Sequence, residues 1–157
     1  MKKQVWLVAF VLIALLSSSF TLEVKAKQQW KTYQSRDLGF SIKYPEDWSK
    51  EETENANLFL VMFAGPKTPL GGHINVNLVV ESLLKSMKAD EYGKAAIETL
   101  RQILPDFKLL KSSHTPLGGS PAYKAEYSFS NQGVKFKAMQ VYTLKNNRAY
   151  VITYTST

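Results

Sequence analysis

Six segments between Phe40 and Tyr154 carry the residue pattern of β-strands, and only one carries the pattern of a helix. In Phe40-Ser41-Ile42-Lys43-Tyr44 three apolar side chains fall on one face of an extended chain. Ile74, Val76, Leu78 and Val80 do the same, with Asn75 and Asn77 opposite. Tyr123, Ala125, Tyr127 and Phe129 repeat the pattern, with Lys124, Glu126 and Ser128 facing away. Val134 to Leu144 is a further strand, reached across Asn131-Gln132-Gly133, and Lys145-Asn146-Asn147 turns the chain into Ala149 to Tyr154. Both connections are hairpin signals, because Asn and Gly tolerate the positive φ of tight turns. Leu58 to Phe63 and Ala149 to Tyr154 are apolar almost throughout, so both of their faces need cover.

The helix reads as Asp90 to Leu104. Asp90 is its expected N-cap, Glu91 lies in the first turn where the macrodipole favours an acid, and Pro105 ends it. Tyr92, Ala96, Leu100 and Ile103 form its apolar stripe, and Lys94, Glu98 and Arg101 face water. Strands joined by hairpins, with a segregated helix, predict an antiparallel α+β fold of about six strands. One strong helix cannot cover two sheet faces. The expectation is therefore that the chain is truncated, or that a partner supplies the missing layer and leaves an apolar patch near the last strand.

Ahead of this domain, residues 1–26 read as a signal peptide. Lys2 and Lys3 precede an apolar run, Val5 to Leu16, and Val24-Lys25-Ala26 offers small residues for cleavage. That run of twelve falls short of the roughly 20 apolar residues of a membrane span. Residues 27–157 form one domain, with 17 basic and 12 acidic side chains and no cysteine. Disulfides, thiolate metal sites and cysteine nucleophiles are excluded. The mild positive charge favours acidic surfaces, and without an Arg-rich run nucleic acid is a poor partner.

Chemistry-bearing motifs are sparse. No nucleophile elbow, Walker loop or dinucleotide fingerprint is present. Glu46, Asp47, Glu51, Glu52 and Glu54 cluster around what reads as a polar loop; carboxylates suit a hard cation such as calcium, although the spacing is not that of an EF-hand. His73 follows Thr68-Pro69-Leu70-Gly71-Gly72, and His114 precedes a second copy, Thr115-Pro116-Leu117-Gly118-Gly119. Were both loops at one end of the sheet, these histidines would be the candidate metal pair, needing a third ligand. Trp48 closes Tyr44-Pro45-Glu46-Asp47-Trp48. It is either an aromatic staple on the core edge or a partner contact.

The stretch Gly39 to Trp48 resembles the opening strand and turn of the PsbP family. Gly118-Gly119-Ser120-Pro121-Ala122-Tyr123 and the late strand Ala149-Tyr150-Val151-Ile152-Thr153-Tyr154 are similar to that family's closing elements. The resemblance implies an antiparallel sheet with helices on both faces and a C-terminal helix that is absent here. It implies export to a lumen, periplasm or exterior. It also implies a non-catalytic role in assembling or stabilising a membrane complex. For photosystem II members it further implies calcium and chloride retention at the oxygen-evolving complex. A general extracytoplasmic binding domain and a small hydrolase with an unrecognised site are the alternatives.

Overall fold

The computed structural model describes residues 28–55, 58–69 and 72–157; the signal-peptide reading of residues 1–26 lies outside them. Ten elements follow in order: β1 (Trp30–Ser35), β2 (Phe40–Pro45), β3 (Ser49–Asn55), β4 (Leu58–Lys67), β5 (His73–Ser82), α1 (Ala89–Ile103), β6 (Lys108–Leu117), β7 (Ser120–Asn131), β8 (Val134–Lys145) and β9 (Arg148–Ser156). Strands β3 to β9 form a single antiparallel sheet in the order β3-β4-β5-β9-β8-β7-β6, and β1 and β2 form a separate hairpin. The last strand therefore lies at the sheet centre, between β5 and β8.

The expected α+β class holds, with two corrections. The sheet has seven strands rather than six, plus the hairpin. The extra strands lack apolar alternation. All seven residues of β3 are exposed; edge strand β6 has no fully buried residue, and a register shift between Leu109 and Lys111 breaks its alternation, so neither wrote a clear pattern into its sequence. The acids Glu51, Glu52 and Glu54, expected in a loop, sit on edge strand β3.

The second correction concerns the layers. Among the described residues a helix packs on one face only. The other is covered by the β1–β2 hairpin, so the chain itself supplies the cover that Leu58 to Phe63 needs on that side. Phe59, Val61, Phe63, Leu78, Val80 and Tyr150 point at the hairpin, and Tyr33, Phe40, Ile42 and Tyr44 come down on them. Tyr44 stacks on Phe63 with ring centroids 4.4 Å apart. Burying a side chain such as Val61 or Phe63 contributes about 1.5–3 kcal/mol. The hairpin tip is pinned at two points: the Tyr150 hydroxyl donates to the Leu38 carbonyl (2.8 Å), and Arg148 donates to that of Asp37 (2.9 Å).

On the opposite face α1 lies over β6, β7 and β8. Ile97 and Gly93 are its buried residues, set against Tyr123, Ala125 and Tyr142. Gly93 is what permits the approach, because a Cβ there would fall 2.6 Å from Tyr123 Cδ1. The N-cap is Lys88, not Asp90. The Lys88 amide donates to Glu91 (3.1 Å), while the Asp90 carboxylate accepts from Lys94 (2.9 Å) one turn on. Ile103 belongs to the expected stripe but is 65% exposed, because the buried line of the helix runs through Gly93 and Ile97 instead.

Candidate functional site

The hairpin covers only half of its face. The core cluster beneath it comes from β4, β5 and β9, and among the described residues the β8-β7-β6 half lacks such a cover, apart from the buried pair Ala122 and Thr143 at one end. Strand alternation and register fix what that half presents. Thr143 pairs with Tyr150 and Val141 with Ile152, so Lys137, Met139, Val141, Thr143 and Lys145 share the hairpin's face. Through β7 the same face carries Lys124, Glu126 and Ser128, and through β6 Lys108, Lys111, Ser113 and Thr115. Lys135, opposite Ser130, completes it. Besides Lys145 at the end of β8, five lysines thus meet one carboxylate, Glu126. Glu126 accepts from Lys124 at 2.9 Å, and that bond, with the field of Lys124 and Lys111, holds it below the usual glutamate range. Met139 and Tyr154, cross-strand neighbours each 37% exposed, form an apolar island within these charges.

Where the open half meets the hairpin lies a groove of about 470 Å³. One wall is β2, from Phe40 to Lys43; the other is the β6–β7 turn at Leu117, Gly118 and Ser120. Leu78, Thr143, Tyr150 and Ile152 make the floor. Its hydroxyls are already engaged: Tyr150 donates to Leu38, and Thr143 donates to the Pro121 carbonyl at 3.0 Å. The floor accordingly offers a ligand carbon surface. Lys43 and Lys145 stand on the lining, neither ion-paired among the described residues.

The residues singled out from sequence fall elsewhere. Trp48 is half-buried, packed in the hairpin-side core against Gly65. His73 opens β5, its Nδ1 2.6 Å from the Gly65 carbonyl oxygen. His114 lies on β6 with its ring against Tyr123. Strands β9, β8 and β7 stand between β5 and β6, a separation of about 19 Å at the usual strand spacing, so the structure does not bring the two imidazoles together. Among the described residues no group of three or more His, Asp or Glu side chains is placed to hold a metal ion. Glu52 is engaged by Lys50 and by the Tyr33 hydroxyl, which together lower its pKa. The lysine face and the groove were not singled out. Lys43 was legible as outward-facing on β2, but what it faces depends on where the hairpin docks.

Cyanobacterial PsbP (CyanoP) from Synechocystis superposes with a TM-score of 0.61 at 14% identity, over 85% of this chain and 83% of that one. Protein PA94 of Pseudomonas aeruginosa superposes with a TM-score of 0.57 at 17% identity, over 82% and 83%. The chain belongs to the DcrB family, whose model matches residues 39–157. The likeness to PsbP holds at the level of the fold. No curated protein sequence matches the chain.

Proposed function

We propose that this chain is an exported, non-catalytic accessory module that works by surface contact, with an acidic protein surface docking on the open half of the sheet. The observation that carries the reading is the lysine face: Lys108, Lys111, Lys124, Lys135 and Lys137 against Glu126 alone. Cations arranged this way steer an acidic partner and fix its register. The Met139–Tyr154 island supplies the apolar contact that charge alone does not. Two features favour binding over turnover. The groove lining holds hydroxyls and lysines but no carboxylate or imidazole to act as a general base. The floor hydroxyls are committed to backbone carbonyls.

Export is supported by the signal-like pattern of residues 1–26, and the mature protein should begin at Lys27 by mass spectrometry. Photosystem II is one membrane complex such a module could serve. That finer reading rests on the likeness of Gly39–Trp48 to the PsbP opening, and a host without chlorophyll excludes it. The docking reading is tested by reversing charge at Lys111, Lys124 and Lys137 together. Association with host membrane fractions should fall steeply, and wild-type association should weaken with salt. The control reverses Lys85 and Lys94, which lie off this face, and should bind like wild type. Equal binding by both variants would exclude the lysine face as the contact.

A further inference from the structure

We infer that the groove between β2 and the β6–β7 turn is a binding site for a small anionic amphiphile: a single alkyl chain ending in a carboxylate or phosphate. The inference is separate from the docking surface, because it rests on the cavity with Lys43 and Lys145 and not on the five lysines around Glu126. A volume of about 470 Å³ falls within the range of small-molecule sites. Leu78, Ile152, Leu117, Phe40, Ile42 and the Tyr150 ring give the floor and walls a hydrocarbon surface. The floor hydroxyls of Thr143 and Tyr150 are satisfied internally, by Pro121 and Leu38, and the other hydroxyls on the lining, those of Ser41 and Ser120, are not fully buried. An apolar body can therefore enter without leaving a buried donor unpaired. The charged groups on the lining, Lys43 and Lys145, are both cations and lack carboxylate partners among the described residues. An apolar channel with ammonium groups and no acid selects an anionic head on an alkyl chain and disfavours a cationic one.

The site is also held open. Tyr150 and Arg148 staple the hairpin tip to β9, so β2 keeps its distance from the sheet. At the other wall Gly118 and Gly119 take positive φ (57° and 80°), and a Cβ at either would meet nothing within 4 Å, so the turn stands clear of the opening. Such preorganisation reduces the ordering cost of binding.

The experiment uses the whole chain, without detergent, with dodecanoate, dodecyl phosphate and dodecanol as probes below their micelle concentrations. Titrations are followed by amide chemical shifts and calorimetry. Dodecanoate or dodecyl phosphate should shift Ile42, Leu117, Thr143 and Ile152. The tighter of the two identifies the head group, and dodecanol should bind about tenfold more weakly. Lys43→Gln with Lys145→Gln should erase that discrimination while leaving dodecanol binding unchanged. Leu117→Glu, at a half-buried turn position, should abolish binding of both anions; if that variant fails to fold, the lysine pair still decides. Equal affinity for dodecanol and dodecanoate would overturn the inference. So would shifts confined to Leu58, Leu60 and Met62 on the far face, or no binding by any probe.

Discussion

The indole of Trp48 occupies the space that a side chain on Gly65 would need: a Cβ there would lie 2.5 Å from Cε2 and 2.6 Å from Cζ2. Gly65 falls in the register shift of β4 between Ala64 and Lys67, where its carbonyl meets His73. Gly65→Ala should therefore destabilise by about 1–3 kcal/mol through overpacking. Trp48→Ala, at a half-buried ring, should cost about 2 kcal/mol, less than a fully buried tryptophan. Combining them removes the collision, so the double variant should be more stable than the sum of the single losses allows. Urea unfolding of the four proteins measures this, and strict additivity would show that the ring moves aside freely.

Gly93 poses a contest between two effects of opposite sign. Alanine in a helix interior gains about 1 kcal/mol over glycine. Here its Cβ would meet Tyr123 Cδ1 at 2.6 Å and Tyr142 Cδ2 at 3.0 Å, both on rings buried in the helix-side core. Overpacking against rigid rings costs about 1–3 kcal/mol, so the net change should be a loss. A raised unfolding midpoint for Gly93→Ala would show that α1 can lift without penalty.

Alkaline pH should unfold the protein in a defined window. Desolvation, then the bond to Glu52, pushes Tyr33 up to about 12, and desolvation alone takes Tyr127 to about 12. Tyr92, which also donates to Glu81, and Tyr142 are raised further, both chiefly by desolvation. A folded-state pKa above the unfolded value of 10.0 contributes stability below pH 10 that is lost as pH climbs toward 12. Phenolate absorbance should accordingly rise in two stages, the second coinciding with loss of far-ultraviolet circular dichroism. One smooth stage near pH 10, with the fold intact, would contradict these environments.

The acid limb has the opposite sign. Lys124 lowers Glu126, and Lys50 with Tyr33 lowers Glu52, so each contributes stability that is present above the ordinary glutamate range and lost as pH falls through their depressed values. Glu126→Gln and Glu52→Gln should each flatten the fall of melting temperature with acid. A melting curve whose pH dependence is unchanged in both variants would rule this out.

What the sequence made legible follows burial. Strands with one buried face, such as β5 and β7, announced themselves through alternation, and α1 through its stripe and Pro105. β3 was hidden because Ser49 to Asn55 is exposed on both faces, so its acids read as a loop. Lys88 was missed as the cap because the bond runs from its backbone amide to Glu91, a role that side-chain identity does not report. The hairpin cover was missed because nothing local in Phe40 to Tyr44 says which sheet face it will meet. The site was less legible still. The lysines are scattered along β6, β7 and β8, and only the register of three strands gathers them. The second Thr-Pro-Leu-Gly-Gly copy supplies Leu117 and Gly118 to the groove wall, whereas the first lies at the β4–β5 connection, with residues 70 and 71 outside those described.

The place of β9 between β5 and β8 sets a timetable for assembly. Ribosomes release roughly 5–20 residues each second, so the 74 residues from Ser82 to Ser156 take about 4–15 s to appear after β5. During that interval the edge of β5 destined for β9 is bare, and Leu78 and Val80 lack Tyr150 and Ile152 beside them. The first three sheet strands cannot complete their half of the core alone, and pairings such as Asn75 with Thr155 span most of the domain. Nascent chains of this topology should therefore stay unfolded and threadable until the final strand emerges, then close the sheet in one late, cooperative step.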